Sequence, residues 1–304
     1  MKPILFLLAL ALLLPSRTDA DEAPEPILLR YLFKSGQFVH YEVASDTSMM
    51  IAKGEAKQTT IESRQTKQHY RVVSAGEDGS AVLEPVIDEA VMEAKTGDAK
   101  PHRFDSRSTD PVPKAFQAIK DDIGRPFVRL RFNANGRATE VLPISGIEKK
   151  VPTDPQQHAF LTVFPEKAIQ IGDSWNDDIT APVGVRLSET KTLRRDIPIR
   201  RRYTLKSVEN GIAVIEFRTY PIELKLEPSI QAQLIQRTLR GEIRFDVTLG
   251  LLLETKSVGE GNVTAPFGEG SFMSSKSSSV EKFVVNPSRP TVALGAEGPP
   301  TAKP

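Results

Sequence analysis

Few residues in this 304-residue chain are of types and spacings that could do chemistry, and each set is incomplete. The four histidines are His40, His69, His102 and His158. No two stand at i,i+4 and none lies in a His-Glu-x-x-His run, so a helical zinc site has no support and all four are expected to be ordinary polar residues. His102, Asp105 and Ser106 bring the three residue types of a hydrolase within five positions. A working triad is assembled from distant segments around a sharply turned nucleophile, and no Gly-x-Ser-x-Gly elbow occurs. Asp105 and Ser106 are instead expected to fix a turn through side-chain hydrogen bonds to the backbone. Asp173, Asp177 and Asp178 flank Trp175, and Asp121-Asp122 precede Gly124. Carboxylates can ligate calcium, but the twelve-residue loop pattern is missing, so turn and strand-end roles are expected. No catalytic, metal-binding or cofactor-binding residue is therefore assigned.

Two candidate binding features remain. Trp175, the only tryptophan, could stack on a ligand, but with Ile169 and Ile171 beside it the favoured role is a core anchor. Lys191, Arg194, Arg195, Arg200, Arg201 and Arg202 concentrate positive charge and form a candidate anion-binding patch. Asp196-Ile197-Pro198-Ile199 interrupts this run, and edge strands also carry cations to block edge-to-edge pairing, which is the favoured reading of it.

The elements that must hold these residues are mostly strands. Val39, Tyr41 and Val43 alternate with Phe38, His40, Glu42 and Ala44, predicting a period-2 strand with the first set inward. The polar stretch 45–68 is too long for an irregular loop in a compact domain and is predicted to form long, half-exposed strands. Gly76-Glu77-Asp78-Gly79 between apolar runs predicts a hairpin, because glycine supplies the positive φ the turn needs. A second hairpin is predicted around Asn133-Ala134-Asn135-Gly136, after a short helix entered at Asp110-Pro111.

The order then repeats. Ile171-Gly172-Asp173-Ser174-Trp175 is placed against Lys34 to Phe38, the turn Glu209-Asn210-Gly211 against Asp78-Gly79, and Gly250 against Gly136. A second proline-led helix spans Pro228 to Arg240, and Glu140 and Glu254 each follow their turn glycine by four residues. The fold class expected is mainly β: antiparallel sheets built from two repeated halves with a few short helices. The boundaries are 27–150 for the first β repeat and 151–285 for a helix plus the second. Two domains and one curved sheet both satisfy this pattern. The stretch Phe164 to Trp175 is the joint, preceded by a predicted helix Gln156–Val163 that ends ahead of Pro165. A last polar strand pair is expected over 262–285.

Residues 1–20 are predicted to be a signal peptide, from Lys2, the apolar run Ile4–Leu14 and the cleavage region Thr18-Asp19-Ala20. Its removal takes away Lys2, Arg17 and Asp19 and leaves basic and acidic residues balanced, which argues against nucleic acid as a partner. Without cysteine, an exported chain must rely on its core rather than disulfides. The tail 286–304 carries five prolines and little to bury, so it is predicted to be disordered.

Tyr31-Leu32-Phe33-Lys34-Ser35-Gly36-Gln37, the Asp78-Gly79 hairpin, Phe104-Asp105-Ser106 and Phe164-Pro165 leading into Ile171–Trp175 together give a pattern over residues 27 to 260. It resembles an uncharacterised family of exported bacterial domains of unknown function. The resemblance implies a periplasmic or secreted location and brings no activity or catalytic residue. The function expected is a non-enzymatic exported protein that binds a partner or an apolar ligand in the cell envelope. A hydrolase with an unrecognised site and a structural envelope component are the alternatives.

Overall fold

The structure is a computed structural model that describes residues 25–144, 154–186 and 192–285. The predicted signal peptide, the proline-rich tail and Lys191 lie outside the described residues. Twelve strands form one antiparallel sheet, to which both halves of the chain contribute. In chain order they are β1 Phe38–Lys53, β2 Ala56–Ala75, β3 Ala81–Thr96, β4 His102–Asp105, β5 Arg129–Phe132 and β6 Ala138–Leu142. They continue as β7 Ser174–Arg186, β8 Thr192–Glu209, β9 Ile212–Pro221, β10 Leu239–Asp246, β11 Leu251–Thr264 and β12 Ser271–Val284. The spatial order is β6-β5-β3-β2-β1-β12-β11-β10-β9-β8-β7, with β4 paired to β3 outside this path. The polar stretch 45–68 is strand for nearly all its length, broken only at the Gly54 turn.

Each half is a meander whose details recur. Gly79 and Gly211, both at φ +78°, turn the chains after β2 and β8; Gly136 and Gly250, at φ +86° and +64°, do so after β5 and β10. The backbone N–H of Gly36 donates to Val72 O, and that of Gly172 donates to Leu205 O. Register shifts at Val72/Ser74 and Arg131/Phe132 recur at Leu205/Ser207 and Arg244/Phe245. Glu140 lies opposite Arg131, and Glu254 opposite Arg244. Matching Gly36 to Gly172 moves the sequence alignment by one residue, and Trp175 then corresponds to Val39. Both of these residues face a tyrosine on the next strand, Tyr70 and Tyr203.

Side-chain alternation separates an inner face, which carries the core, from an outer one. At one end the inner face buries Val39, Tyr41, Val72, Leu83, Leu130 and Phe132 with Tyr203, Leu205, Ile215, Ile243 and Phe245. The strand-free segment from Ile27 to Phe33 packs into this cluster, where the Tyr31 ring meets Phe164 at 5.2 Å and Phe245 at 5.4 Å. Farther along, α1 (Gln117–Asp122), led in by the turn Lys114–Phe116, covers Ile87, Ala90 and Phe104. Helix α2 (Pro228–Leu234), extended by Ile235–Arg237, covers Ile197 and Ile199 on one side and Val263 and Met273 on the other.

Three expectations are corrected. The predicted helix Gln156–Val163 is only a 3-10 turn, Pro155–His158. Asp154 caps it by accepting the Gln156 N–H, but Ala159 is already extended (ψ 128°) and the chain runs straight into the core. The reason is tertiary: this segment bridges the two terminal strands of the sheet. Gln156 Nε2 donates to Ala138 O on β6, Phe164 N donates to Asn135 O, and Trp175 Nε1 on β7 donates to Val163 O. The second correction concerns β8, the strand of the arginine run, which lies between β7 and β9 and is not an edge. Third, the helix expected over Pro228–Arg240 ends by Arg237, and Leu239 already begins β10.

Candidate functional site

The inner face changes character along its length. Beyond the aromatic core, cross-strand neighbours on β3, β2, β1, β12 and β11 are Ala90, Thr66, Val43, Glu281 and Thr255. The next inner row is Met92, Arg64, Ser45, Ser279 and Ser257. This polar floor is framed by apolar clusters on three sides: the aromatic core, the α1 cluster with Met92 and Ala94, and the α2 cluster with Met49 and Ile51. Serine and glycine dominate β11 and β12 here because the helical segment must approach closely. A Cβ at Gly261 would stand 2.8 Å from the Ile235 side chain.

Two groups on this floor lack partners among the described residues. Arg64 is half-buried, and among the described residues it makes no hydrogen bond or ion pair; its Nε is buried outright. Burial alone lowers its pKa, with no carboxylate acting against that shift. Thr66, 4% exposed, has a buried hydroxyl with no partner among the described residues. Glu281 is the acid of the adjoining inward row, but its carboxylate accepts from Tyr70 Oη and Gln68 Nε2, both at 3.1 Å. Burial raises the Glu281 pKa, partly offset by these two hydrogen bonds. The floor thus presents one uncompensated cation beside a carboxyl biased toward neutrality, walled by apolar side chains. A desolvated guanidinium costs free energy unless a carboxylate, phosphate or similar anion meets it.

The sequence-derived candidates fall elsewhere. Trp175 is half-buried: its indole N–H is committed to Val163 O at 2.8 Å, and its ring stacks on Tyr203 with centroids 5.3 Å apart. The six-cation cluster is divided by strand alternation. Arg194 and Arg200 point outward to Asp196 (3.0 Å) and Asp178 (2.6 Å); Arg195 and Arg201 lie on the inner face, near Glu223 (2.7 Å) and Asp177 (3.7 Å). Arg202 instead lies opposite Arg218, itself opposite Arg240, in a row across three strands. This row edges an outer-face depression of about 810 Å³ that Glu216, Glu242 and Lys256 also line. A second outer depression, about 500 Å³, lies over Ala44, Gln65 and Val91, and its charged wall is largely self-paired through Lys67–Glu89 at 3.1 Å.

Asp105 and Ser106 form the expected turn. The Arg107 side chain and backbone N–H hold the Asp105 carboxyl down to about 2, and Ser106 Oγ accepts the Ala90 N–H. Of the acids around Trp175, Asp173 closes its own turn by accepting the Gln170 N–H, and Asp178 pairs with Arg200. Asp177 is 1% exposed, and burial raises its pKa against the pull of Arg201 and Arg137.

Sequence reasoning missed two features. Arg64 went unremarked in the polar stretch, although extending the Val39/Tyr41/Val43 alternation through an antiparallel partner would have turned it inward. Nor did sequence spacing bring any two of the four histidines together. His40 and His69 are direct cross-strand partners, and His69 Nδ1 lies 2.9 Å from the Asp88 carboxylate. His158 stands apart in the 3-10 turn, its Nε2 buried without a partner among the described residues, and His102 is exposed on β4.

No family model and no curated protein matches this chain. Two solved structures show a limited likeness. The β domain of the Bordetella autotransporter BrkA aligns over 80% of this chain and 98% of its own, at 8% identity and a TM-score of 0.28. A DUF1329 family protein from Desulfovibrio piger aligns over 81% of this chain and 87% of its own, at 12% identity and a TM-score of 0.16. At these scores neither chain shares an overall superposition with this one.

Proposed function

We propose that the protein is an exported, non-enzymatic binding protein of the cell envelope whose inner sheet face takes an amphiphile with an anionic head. Arg64 carries this reading: a half-buried guanidinium that has no hydrogen-bond or ion-pair partner among the described residues, set among apolar walls. The head group would meet Arg64 and Thr66, and the apolar body would lie along Val43, Met49 and Met92. Export rests on the leader pattern of residues 1–20, which predicts a mature chain starting at Asp21. We further infer that the halves are duplicated copies. Shared strand order, turn glycines and register shifts support this, and duplication would explain why one sheet offers two helix-covered flanks around a central floor.

The test is calorimetric binding of dodecanoate, below its micelle concentration, beside uncharged dodecyl maltoside. Arg64→Met keeps an unbranched apolar stem and removes the guanidinium with its charge. It should weaken dodecanoate at least tenfold, leave the maltoside unchanged and raise the melting temperature, because the lone cation costs the unliganded fold. Equal dodecanoate affinity in both proteins would refute the site.

A further inference from the structure

On the opposite face of the sheet, antiparallel register places His40 of β1 directly against His69 of β2. On β3 the ladder passes from Gln68↔Ile87 to Lys67↔Glu89, which leaves Asp88 as the extra, unpaired residue of a bulge. Bulges re-aim a side chain without otherwise disturbing the sheet. Here the Asp88 carboxylate is delivered beside the His69 ring, with both oxygens 2.9 Å from Nδ1. One ring nitrogen from each histidine and one Asp88 oxygen all lie within 4.8 Å of one another. The Phe38 ring, 5.3 Å from the His69 centroid and 6.4 Å from that of His40, shields one flank. His69 is buried, while His40 and Asp88 remain partly open.

We propose that His40, His69 and Asp88 form a binding site for a divalent first-row transition metal of the zinc class. The donor set selects that class. Two imidazoles and one carboxylate suit Zn²⁺ and its neighbours, whereas Mg²⁺ and Ca²⁺ favour all-oxygen shells. The chain has no cysteine, which removes thiolate alternatives. Ligand atoms bound at about 2.0–2.1 Å in a tetrahedron stand about 3.3 Å apart, so the His69–Asp88 pair needs to open only a few tenths of an ångström. His40, the half-exposed member, has the freedom to close the third side. Three protein ligands leave further positions to water or to a ligand from outside, the composition of an open site rather than a closed structural one. The simpler alternative is that His69 and Asp88 form a hydrogen-bonded pair and His40 is a bystander. That alternative gives the bulge at Asp88 no further use.

The experiment uses tag-free protein freed of metal with a chelator and titrated with Zn²⁺ by calorimetry, then with Co²⁺ by visible absorption. Expected are one equivalent of Zn²⁺ bound at micromolar concentration or tighter, a melting temperature raised by the metal, and a cobalt spectrum without thiolate charge-transfer bands. His40→Ala, at a half-exposed position, should stay folded. It should lose more affinity than the about 10–100-fold that a missing second-shell partner costs. Asp88→Asn should weaken binding likewise, whereas His102→Ala should bind as the parent does. Absence of stoichiometric Zn²⁺ binding by the parent would overturn the site. Undiminished affinity in both His40→Ala and His40→Gln would also overturn it, and would leave the His69–Asp88 pair as a purely structural contact. The outcome is independent of the Arg64 site, which lies on the other face.

Discussion

Trp175 ties β7 to the segment that spans the gap between the sheet's terminal strands, so its truncation tests whether that segment holds the sheet together. Two substitutions separate the contributions. Trp175→Phe keeps a ring to stack on Tyr203 but removes the N–H that reaches Val163 O at 2.8 Å. Val163 is only 3% exposed, so its carbonyl would find little water in exchange. An orphaned buried acceptor costs about 1–3 kcal/mol, and the half-exposed indole puts this case near about 1–2. Trp175→Ala also forfeits the aromatic pair, worth about 0.5–1.5 kcal/mol, and leaves a void beside the core. Fully buried tryptophans cost about 3–5 kcal/mol on truncation, and half burial places Trp175→Ala at about 3. For a domain of this size each kcal/mol lowers Tm by about 2–4 °C, giving drops of about 2–8 °C for phenylalanine and about 6–12 °C for alanine. Urea denaturation followed by far-UV circular dichroism would measure both, since either substitution removes the only tryptophan. A loss under about 0.5 kcal/mol for both would show that the bridging segment contributes little to stability. It would also free the indole for a role in ligand binding.

Two further outcomes follow from the buried charges. Glu84, 1% exposed, is gripped by Arg71 Nη2 at 2.8 Å and Arg129 Nε at 2.6 Å across β2, β3 and β5. Glu84→Ala should cost about 3 kcal/mol in urea denaturation, the low end for a broken buried pair, because both arginines can still reach water. Glu281 has a folded-state pKa raised by burial, so the native state binds more protons than the unfolded chain just above the ordinary glutamate value. Stability should therefore fall as pH rises from that value through the raised one, with Asp177 contributing in the same direction. Glu281→Gln still accepts from Tyr70 and Gln68, and should flatten that part of the profile in melting temperatures measured from pH 4 to 8; an unchanged slope would exclude Glu281 as its source.

The sequence by itself determined the local elements, because their causes are local. Period-2 alternation marked β1, glycines able to hold positive φ marked the turns at 79, 136, 211 and 250, and proline marked the start of α2. Those same signals made the meander of each half legible, whereas the opposition of Glu140 and Glu254 to arginines depends on a register shift beside each turn that turn length does not give. What the sequence could not decide was which strands meet across long separations. Pairing of β12 with β1, some 230 residues away in the chain, makes one sheet of two halves, and no local pattern encodes that partner. The stretch 156–163 has helix-compatible residues, yet packing against Ala138, Asn135 and Trp175 draws it straight. Both candidate sites have the same origin. Among the described residues Arg64 has no partner, and its neighbours across β1 and β3 are Ser45 and Met92, neither of them an acid. His40, His69 and Asp88 meet only because one register and one bulge align three strands. Such juxtapositions depend on register, and a slip of one residue would send every one of these side chains to the other face.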